Sequence, residues 1–184
     1  QSEALQFAEA WNRQTGGTHR VEMEQGLWEV KQVHLPDTQG GKLVQATAEH
    51  RNILIPFAAG FSAECFPSRT LNESQLAVRM DRYIASGKAF LWQNEAGESV
   101  AMACIVRDSP TTSSISWVYT PPKKRGLGYG ACVVAFLSQE QLDGGKKACN
   151  LHTDLENPTS NALYRRLGYQ PVERQVCLQF LAAH

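Results

Sequence analysis

Two spacings of hydrophobic residues divide the chain into short elements. Alternation of apolar and polar positions predicts a half-buried strand, and apolar positions that recur every three or four residues predict a helix. Strands are predicted at 21–30, 42–47, 90–92, 100–106, 114–119, 148–154 and 176–180. Helices are predicted at 2–14, 53–61, 76–84, 131–142 and 158–167. After residue 40 the order is strand, two helices, three strands, helix, strand, helix and one or two strands, which is a mixed α/β order.

Local signals add detail to these elements. The apolar phase slips at Gln25-Gly26, which predicts a bulge or a tight turn inside the first strand. Pro56 falls within the second helical pattern, so it either kinks that helix or begins a second short one. Thr70 and Glu73 have the spacing of a capping box and predict the start of the third helix.

A basic, glycine-rich loop joins the strand at 114–119 to the helix at 131–142. Ile115, Trp117 and Tyr119 are expected to share one face of that strand. The loop contains the cations Lys123, Lys124 and Arg125 and the glycines Gly126, Gly128 and Gly130. Because glycines lack a Cβ atom and the first N–H groups of a helix have no internal partner, an anion can approach the backbone closely. The loop therefore predicts a phosphate site at the start of the helix.

Two common phosphate motifs do not fit this loop. A Walker A loop needs Lys and then Ser or Thr directly after its last glycine. A dinucleotide fingerprint needs an acidic residue about 20 positions further on, and 147–152 contains none. The pattern that fits is Arg-x-x-Gly-x-Gly, with Arg125, Gly128 and Gly130. It resembles the pyrophosphate loop of the GNAT superfamily, the acyl-CoA-dependent N-acyltransferases, although a glycine-rich turn that only lets a helix pack has the same pattern.

A second motif follows the strand at 148–154. Asn157 is a good N-cap, Pro158 suits the first helical position, and Gly168 suits the position just past the helix. The run from Asn157 through Tyr164 to Gly168 is similar to the other GNAT signature, Asn-x-x-Ser/Ala-x-x-x-Tyr-x-x-x-Gly-Tyr/Phe. Two independent signatures in the expected order favour the resemblance over a chance match.

The resemblance covers 42–182 and implies the GNAT fold, a mixed, mostly antiparallel sheet with a splayed parallel strand pair and flanking helices. It implies that the strands of Trp117 and Leu151 part, and that the pantetheine arm of acetyl-CoA pairs there with Val118 and Thr120. The residues that the resemblance assigns to acetyl-CoA are Val118, Tyr119, Thr120, Arg125, Gly126, Leu127, Gly128, Tyr129, Gly130, Asn157 and Asn161.

The activity that the resemblance implies is direct transfer of an acetyl group to a primary amine of a small molecule or peptide. The Val118 or Tyr119 N–H is then the expected donor to the developing oxyanion. Tyr164 occupies the position of the general acid, and its ordinary pKa of about 10 lets it hold a proton at neutral pH. The alternative for Tyr164 is an aromatic side chain that only packs on the sheet. By residue type alone, the candidates for the general base are Glu64, Glu95 and His152, and a water chain is the alternative.

Charge and cysteine content narrow the class of protein. The 18 basic and 18 acidic residues give a formal net charge of zero, so nothing indicates a partner that is a nucleic acid or a membrane surface. No apolar run is long enough to span a bilayer, and no signal-peptide pattern opens the chain. The five cysteines are scattered without metal-ligand spacing. We interpret them as reduced thiols of a cytoplasmic protein, with neither a bound metal nor a cysteine nucleophile expected.

The chain is divided here into two parts. Residues 1–39 are interpreted as an N-terminal helix and strand extension, and residues 40–184 as the GNAT-like domain. The extension loosely resembles the tail of an upstream half in a two-part subgroup of the superfamily. The alternatives are a dimerisation arm, which would make the protein a homodimer, or a cover for the sheet edge. The chain opens at Gln1 rather than Met, which suggests a piece of a longer protein.

Two other functions stay open at this point. One is a binding or regulatory module of the GNAT fold that holds acyl-CoA without turnover. The other is an enzyme that moves a different acyl group, such as succinyl or a longer chain. The complete loop and the presence of Tyr164 favour an enzyme, because a degenerate domain is expected to lose one or both.

Overall fold

The computed structural model describes residues 2–38 and 40–183, in which there are five α-helices and seven strands. The helices are α1 (Ser2–Thr15), α2 (Arg51–Cys65), α3 (Glu73–Ala85), α4 (Tyr129–Asp143) and α5 (Pro158–Arg166). The strands are β1 (Thr18–Val30), β2 (Lys42–Gln45), β3 (Ala89–Gln93), β4 (Ser99–Asp108), β5 (Thr112–Tyr119), β6 (Ala148–Asp154) and β7 (Gln170–Leu181). The predicted order after residue 40 is confirmed, with a single strand after the last helix.

The seven strands form one sheet in the order β2-β3-β4-β5-β6-β1-β7. Neighbouring strands are antiparallel except for β5 and β6, which are parallel. Parallel neighbours need a long crossover connection, and α4 supplies it. This arrangement confirms the predicted fold class, a mostly antiparallel mixed sheet with one parallel pair.

Hydrophobic side chains fill both faces of the sheet. On one face, α4 and α5 pack over Trp28 and Trp92. On the other face, α2 and α3 pack over Leu91 and Met102. Each such side chain stabilises the fold by about 1.5–3 kcal/mol when it is fully buried. Within the described residues, no helix combines the length and the hydrophobicity that crossing a membrane requires.

The structure corrects the predicted start of α3 and shows whether Pro56 divides α2. Asn72 rather than Thr70 caps α3, because its side chain accepts a hydrogen bond from the Gln75 N–H at 3.0 Å. The Gln75 side chain in turn accepts from the Asn72 N–H at 3.0 Å. The capping box thus has the predicted spacing but begins two residues later, at Asn72. Pro56 lies inside the single helix α2, so it does not begin a second helix.

Strand β1, which belongs to the predicted extension, is an interior strand of the sheet. It pairs with β6 on one side and with β7 on the other. Its register with β7 shifts between Val21 and Met23 and again between Leu27 and Trp28, on either side of the slip predicted at Gln25-Gly26. Strand β1 therefore does not cover an edge of the sheet, which was one of the predicted alternatives. The domain boundary after this strand stays a prediction.

A bulge in β5 changes the direction of its side chains. Between two successive pairs with β4, strand β5 contains one residue more than its partner. Trp117, in this bulge, has a φ of 57° and is the one non-glycine residue of the described chain with a positive φ. As a result Ile115 packs under α4, whereas Trp117 and Tyr119 pack under α2. The expectation that these three residues share a face is wrong, because the inserted residue reverses the alternation.

The side chain of Tyr119 joins this bulged strand to α2. Its phenol ring lies against the helix backbone at Gly60, so close that a Cβ atom there would overlap the ring. The ring of Phe57, one helical turn earlier, has its centroid 6.0 Å from that of Tyr119. Gly60 therefore serves the close approach of the strand side chain to the helix.

We expect Gly60→Ala to lower the free energy of unfolding by about 1–3 kcal/mol, the usual cost of overpacking. In a Tyr119→Ala background the space is vacant, and the same change should be neutral or stabilising by up to about 1 kcal/mol, because alanine favours a helix over glycine. Denaturant unfolding of the four proteins measures the coupling between the two sites. An equal loss in both backgrounds would contradict the proposed overlap.

Candidate functional site

Strands β5 and β6 part after only three residue pairs. These pairs are Thr112–Ala148, Ser113–Cys149 and Ser114–Asn150. The side chains of the last pair are also hydrogen-bonded, from the Ser114 hydroxyl to Asn150 Oδ1 at 2.5 Å. Beyond it, the facing edges of the two strands have no strand partner in the described chain. Backbone groups at such an edge can pair with an extended ligand.

The parted strands open into a cleft of about 200 Å³, which we call the strand cleft. Its walls come from five elements, β1, α2, β5, β6 and α5. Of the residues predicted for the site, Val118, Asn157 and Tyr164 line it. The structure therefore brings the strand that precedes the glycine-rich loop together with residues of the second signature.

The glycine-rich loop follows the C-terminal end of β5 and leads into α4. Gly126 and Gly128 both have a φ of 78°, and a Cβ atom on either would meet no atom within 4 Å. Gly128 is the N-cap residue of α4, Tyr129 is its first residue, and Leu127 is exposed. The first N–H groups of α4 thus begin beside open space, where the helix dipole favours an anion.

Arg125, in the same loop, is held by three contacts within the chain. Its Nε donates to the Thr120 carbonyl at 2.9 Å, and its Nη2 donates to the two Glu64 oxygens at 2.7 and 2.8 Å. The guanidinium lies 5.6 Å from the centroid of the Tyr119 ring. The Arg125 and Glu64 side chains are each 46% exposed, so their ion pair adds little to stability. A phosphate, which binds guanidinium well, can therefore compete with Glu64 for Arg125.

Tyr164 extends from α5 into the strand cleft. Its side chain is only 8% exposed, and its ring meets that of Tyr169 edge-on with the centroids 5.8 Å apart. Burial, with a smaller contribution from Cys65, raises the pKa of the Tyr164 hydroxyl well above its ordinary value of about 10. No residue of the described chain forms a hydrogen bond with this hydroxyl. The group therefore stays protonated at neutral pH and can donate to a bound molecule.

Asn157 and Asn161 have different surroundings. Asn157 is exposed and caps α5, as predicted, because its side chain accepts from the Ser160 N–H at 3.1 Å. Asn161 is 7% exposed, and its amide donates to two carbonyls of the β6–α5 connection at 3.2 and 3.1 Å. Its oxygen accepts from the Thr153 hydroxyl. Asn161 thus positions the start of α5, and its contact with acetyl-CoA stays a prediction.

The three candidates for the general base lie in different places. Glu64 and His152 line the strand cleft, whereas Glu95 lies in the turn between β3 and β4 and not in the cleft lining. Glu64 faces Arg125. The Nε2 atom of His152 lies 2.9 Å from Gln175 Oε1. When Nε2 carries the hydrogen of this bond, Nδ1 is left as a proton acceptor.

None of the five cysteines forms a disulfide bond within the described chain. Cys104, Cys132 and Cys149 are buried among apolar side chains, and burial raises the pKa of the Cys149 thiol to about 12. Cys65 lines the strand cleft, where burial and the Glu64 carboxylate raise the pKa of its thiol, which makes it a poor nucleophile. The described residues contain no group of three His, Cys, Asp or Glu side chains that could hold a metal ion.

Sequence reasoning missed the contribution of β1 to the cleft. Met23 and Gln25 form part of its wall, because β1 is the neighbour of β6 in the sheet. The slip in hydrophobic phase at Gln25-Gly26 marks this region as irregular. It does not indicate which strand pairs with which, so the signal was too weak to place β1 at the site.

Comparisons with known proteins agree with this geometry. The model of the family described as FR47-like protein matches residues 93–178. A search of curated proteins found no match. Among solved structures, a GNAT-family acetyltransferase from Colwellia psychrerythraea is 16% identical with a TM-score of 0.67, over 95% of this chain and 61% of that one. The chain has the GNAT fold.

Two further structures with the GNAT fold show how much of such proteins this chain represents. A GCN5-related N-acetyltransferase from Sphaerobacter thermophilus is 16% identical with a TM-score of 0.69, over 99% of this chain and 56% of that one. One from Kribbella flavida is 19% identical with a TM-score of 0.66, over 96% of this chain and 63% of that one. The chain thus spans less than two thirds of each of the three structures.

Replacing Asn161 tests its positioning role. Asn161→Leu keeps the size of the side chain but removes one hydrogen-bond partner each from the Asp154 carbonyl, the Leu155 carbonyl and the Thr153 hydroxyl. The Asp154 carbonyl keeps the Asn157 N–H at 3.1 Å, so the Leu155 carbonyl loses most, and we expect a loss of about 1–3 kcal/mol in the free energy of unfolding. The control Asn157→Asp retains an oxygen that caps α5 and should keep wild-type stability. Denaturant unfolding measures both variants. Equal stability of Asn161→Leu and wild type would contradict the role.

Proposed function

We propose that this chain is an N-acyltransferase that moves an acetyl group from acetyl-CoA to a primary amine of a small molecule or peptide. One observation carries the proposal: the parted strands β5 and β6 lie between an open helix start and a buried, protonated tyrosine. The similarity in fold to acetyltransferases supports it. These three features suit three parts of acetyl-CoA. The parted strands suit its peptide-like arm, the helix start suits its pyrophosphate, and the tyrosine suits its leaving thiolate.

Acetyl-CoA lies along the strand cleft. Its pantetheine arm pairs with the open edge of β5 at Val118 and Thr120, as an added strand would. Its pyrophosphate lies on the N–H groups of the loop from Arg125 to Gly130, at the start of α4. Arg125 then exchanges Glu64 for a phosphate oxygen, which frees the carboxylate in the cleft. Asn157 lies at the opposite wall, at the start of α5.

Transfer of the acetyl group forms one C–N bond and breaks one C–S bond. The nitrogen of a neutral amine attacks the thioester carbonyl carbon, and the oxyanion accepts a hydrogen bond from the Val118 or Tyr119 N–H. The C–S bond then breaks with its electron pair on sulfur, and Tyr164 donates a proton to this thiolate. The amine nitrogen gives up one proton, which balances the proton that Tyr164 loses. His152 and Glu64 line the cleft and are the proposed acceptors of this proton.

The cytoplasm remains our proposed location. Five cysteines without a disulfide bond among them fit a reducing compartment. Burial of three of them keeps those thiols away from oxidants in any case.

Calorimetric titration with acetyl-CoA and with CoA tests the binding part of the proposal. We expect a Kd on the order of micromolar for the wild type and a loss of at least about tenfold in Gly128→Glu, because the new carboxylate stands where the pyrophosphate lies. Gly97→Glu is the matched control: Gly97 has a φ of 76° and open surroundings in the β3–β4 turn. Both variants carry the same backbone strain and charge. An equal loss of acetyl-CoA affinity in both would therefore contradict the assignment of the loop to the pyrophosphate. Absence of binding by the wild type would make the loop a structural turn.

Turnover tests the role of Tyr164. Tyr164→Phe removes one hydroxyl, and we expect kcat to fall by about 10 to 10³, the usual contribution of a positioned acid, while the Kd of acetyl-CoA is unchanged. Tyr169→Phe is the control, because Tyr169 is also buried, touches Tyr164, and uses its hydroxyl only on Ser138 at 2.8 Å. This control should keep kcat. An unchanged kcat in Tyr164→Phe would remove the residue from the mechanism, and binding without any turnover would favour a module that only holds acyl-CoA.

A further inference from the structure

A second depression continues from the strand cleft onto the face of the sheet covered by α2 and α3. We call it the acceptor cleft, and its volume is about 460 Å³. Phe61, Phe66, Trp117 and His152 line both clefts, so a molecule in one can reach a molecule in the other. Aromatic rings form much of its wall, since Tyr83 lines it as well.

The charged groups of the acceptor cleft are cationic. Arg79, from α3, and Arg107, from β4, line it. No Asp or Glu is part of its lining in the described chain. The acidic side chains Glu64 and Asp154 line the strand cleft instead. The two connected clefts therefore differ in charge.

Both arginines lie near the point where β5 and β6 part. The guanidinium of Arg79 lies 5.6 Å from the centroid of the Trp117 ring, which belongs to the bulge. Arg107 pairs in register with Ser114, the last residue of β5 that pairs with β6. Stacking on an aromatic face leaves the edge of a guanidinium available for a second partner.

Arg107 is too far from the glycine-rich loop to hold the pyrophosphate of acetyl-CoA. Arg107 stands beside Ser114, near the first residues of β5, whereas the loop begins after its last residue. At about 3.3 Å per residue, the strand from Ser114 to Tyr119 spans up to about 17 Å, and the loop lies beyond it. The loop also has its own cations, Lys123, Lys124 and Arg125.

We infer that the acceptor is a primary amine that also carries an anionic group, a carboxylate or a phosphate, held by Arg79 and Arg107. This inference rests on the proposed function. The anionic group lies in the acceptor cleft, the amine points toward Val118 at the parted strands, and an apolar side chain packs among Phe61, Tyr83 and Trp117. A guanidinium binds either anion through two parallel hydrogen bonds. A polyamine is disfavoured, because its remote cations would meet the two arginines.

Matched amines test this preference with acetyl-CoA at saturation. We expect phenylalanine to have a kcat/KM at least about tenfold above those of phenylalaninamide and phenethylamine, or O-phosphoethanolamine to exceed ethanolamine by the same factor. The first result identifies the anion as a carboxylate and the second as a phosphate. Neutral amines that are acetylated as well as their anionic counterparts would overturn the inference.

Variants of the two arginines test whether they cause the preference for anionic amines. Arg79→Gln and Arg107→Gln should each lower the kcat/KM of the preferred anionic amine by about 10- to 100-fold and leave that of its neutral counterpart, and the Kd of acetyl-CoA, unchanged. Arg82→Gln is the control, because Arg82 is also on α3 but does not line the acceptor cleft. It lines a neighbouring depression, to which Arg79 also contributes. A loss shared by the neutral amine, or seen equally in Arg82→Gln, would overturn the assignment.

A binding measurement separates this inference from the proposed function. N-acetylphenylalanine, N-acetyl-O-phosphoethanolamine and their uncharged counterparts, N-acetylphenylalaninamide and N-acetylethanolamine, are titrated into the protein with CoA present. Tighter binding of an anionic product, lost in Arg79→Gln, supports the inference even when no amine is acetylated. Equal binding within each pair, or no binding, contradicts it, whatever the outcome for acetyl-CoA.

Discussion

The left-handed backbone of Trp117 is the constraint on which the site depends. An L-residue in this conformation costs about 1–2 kcal/mol, and such strain tends to persist at functional sites. The inserted residue turns Trp117 and Tyr119 toward α2 while Ile115 stays under α4. The bulge lies just beyond Ser114, where β5 makes its last pair with β6. Because a bulge bends and twists its strand, it keeps the rest of β5 apart from β6. The contact of Tyr119 with Gly60 follows from the same insertion.

Electrostatics divides the space that the bulge creates. At the C-terminal end of β5, glycines and a helix start favour a phosphate, and Arg125 is kept in place by Glu64. In the middle, a buried tyrosine is kept neutral. On the α3 side, Arg79 and Arg107 lie without acidic neighbours in the cleft lining. A molecule that enters from either end thus meets groups that favour an anion.

Much of the fold and of the candidate site was predictable, because the decisive sequence signals are local. The Asn157 cap and the element order are encoded in short runs of residues, and the structure confirms both. It also shows the glycine-rich loop at the start of α4, whereas phosphate binding by that loop stays a prediction. The direction of Trp117 was not predictable, because an alternating pattern does not show an inserted residue. Thr70 and Asn72 each precede a residue that can complete a capping box, and only the packing of α3 chooses between them. The internal role of Asn161 depends on carbonyls whose direction is set by the fold of the connection.

The position of β1 has a consequence for how the protein acquires its site. Thr18 pairs with Leu181, and Gln25 pairs with Asp154, so the first strand of the chain meets its partners only across most of the sequence. Contacts so distant along a chain form slowly, since the entropy of closing the intervening loop must first be overcome. On a ribosome, β1 therefore waits for β6 and β7 to emerge. The wall that Met23 and Gln25 contribute is completed last, which makes the cleft a late product of folding.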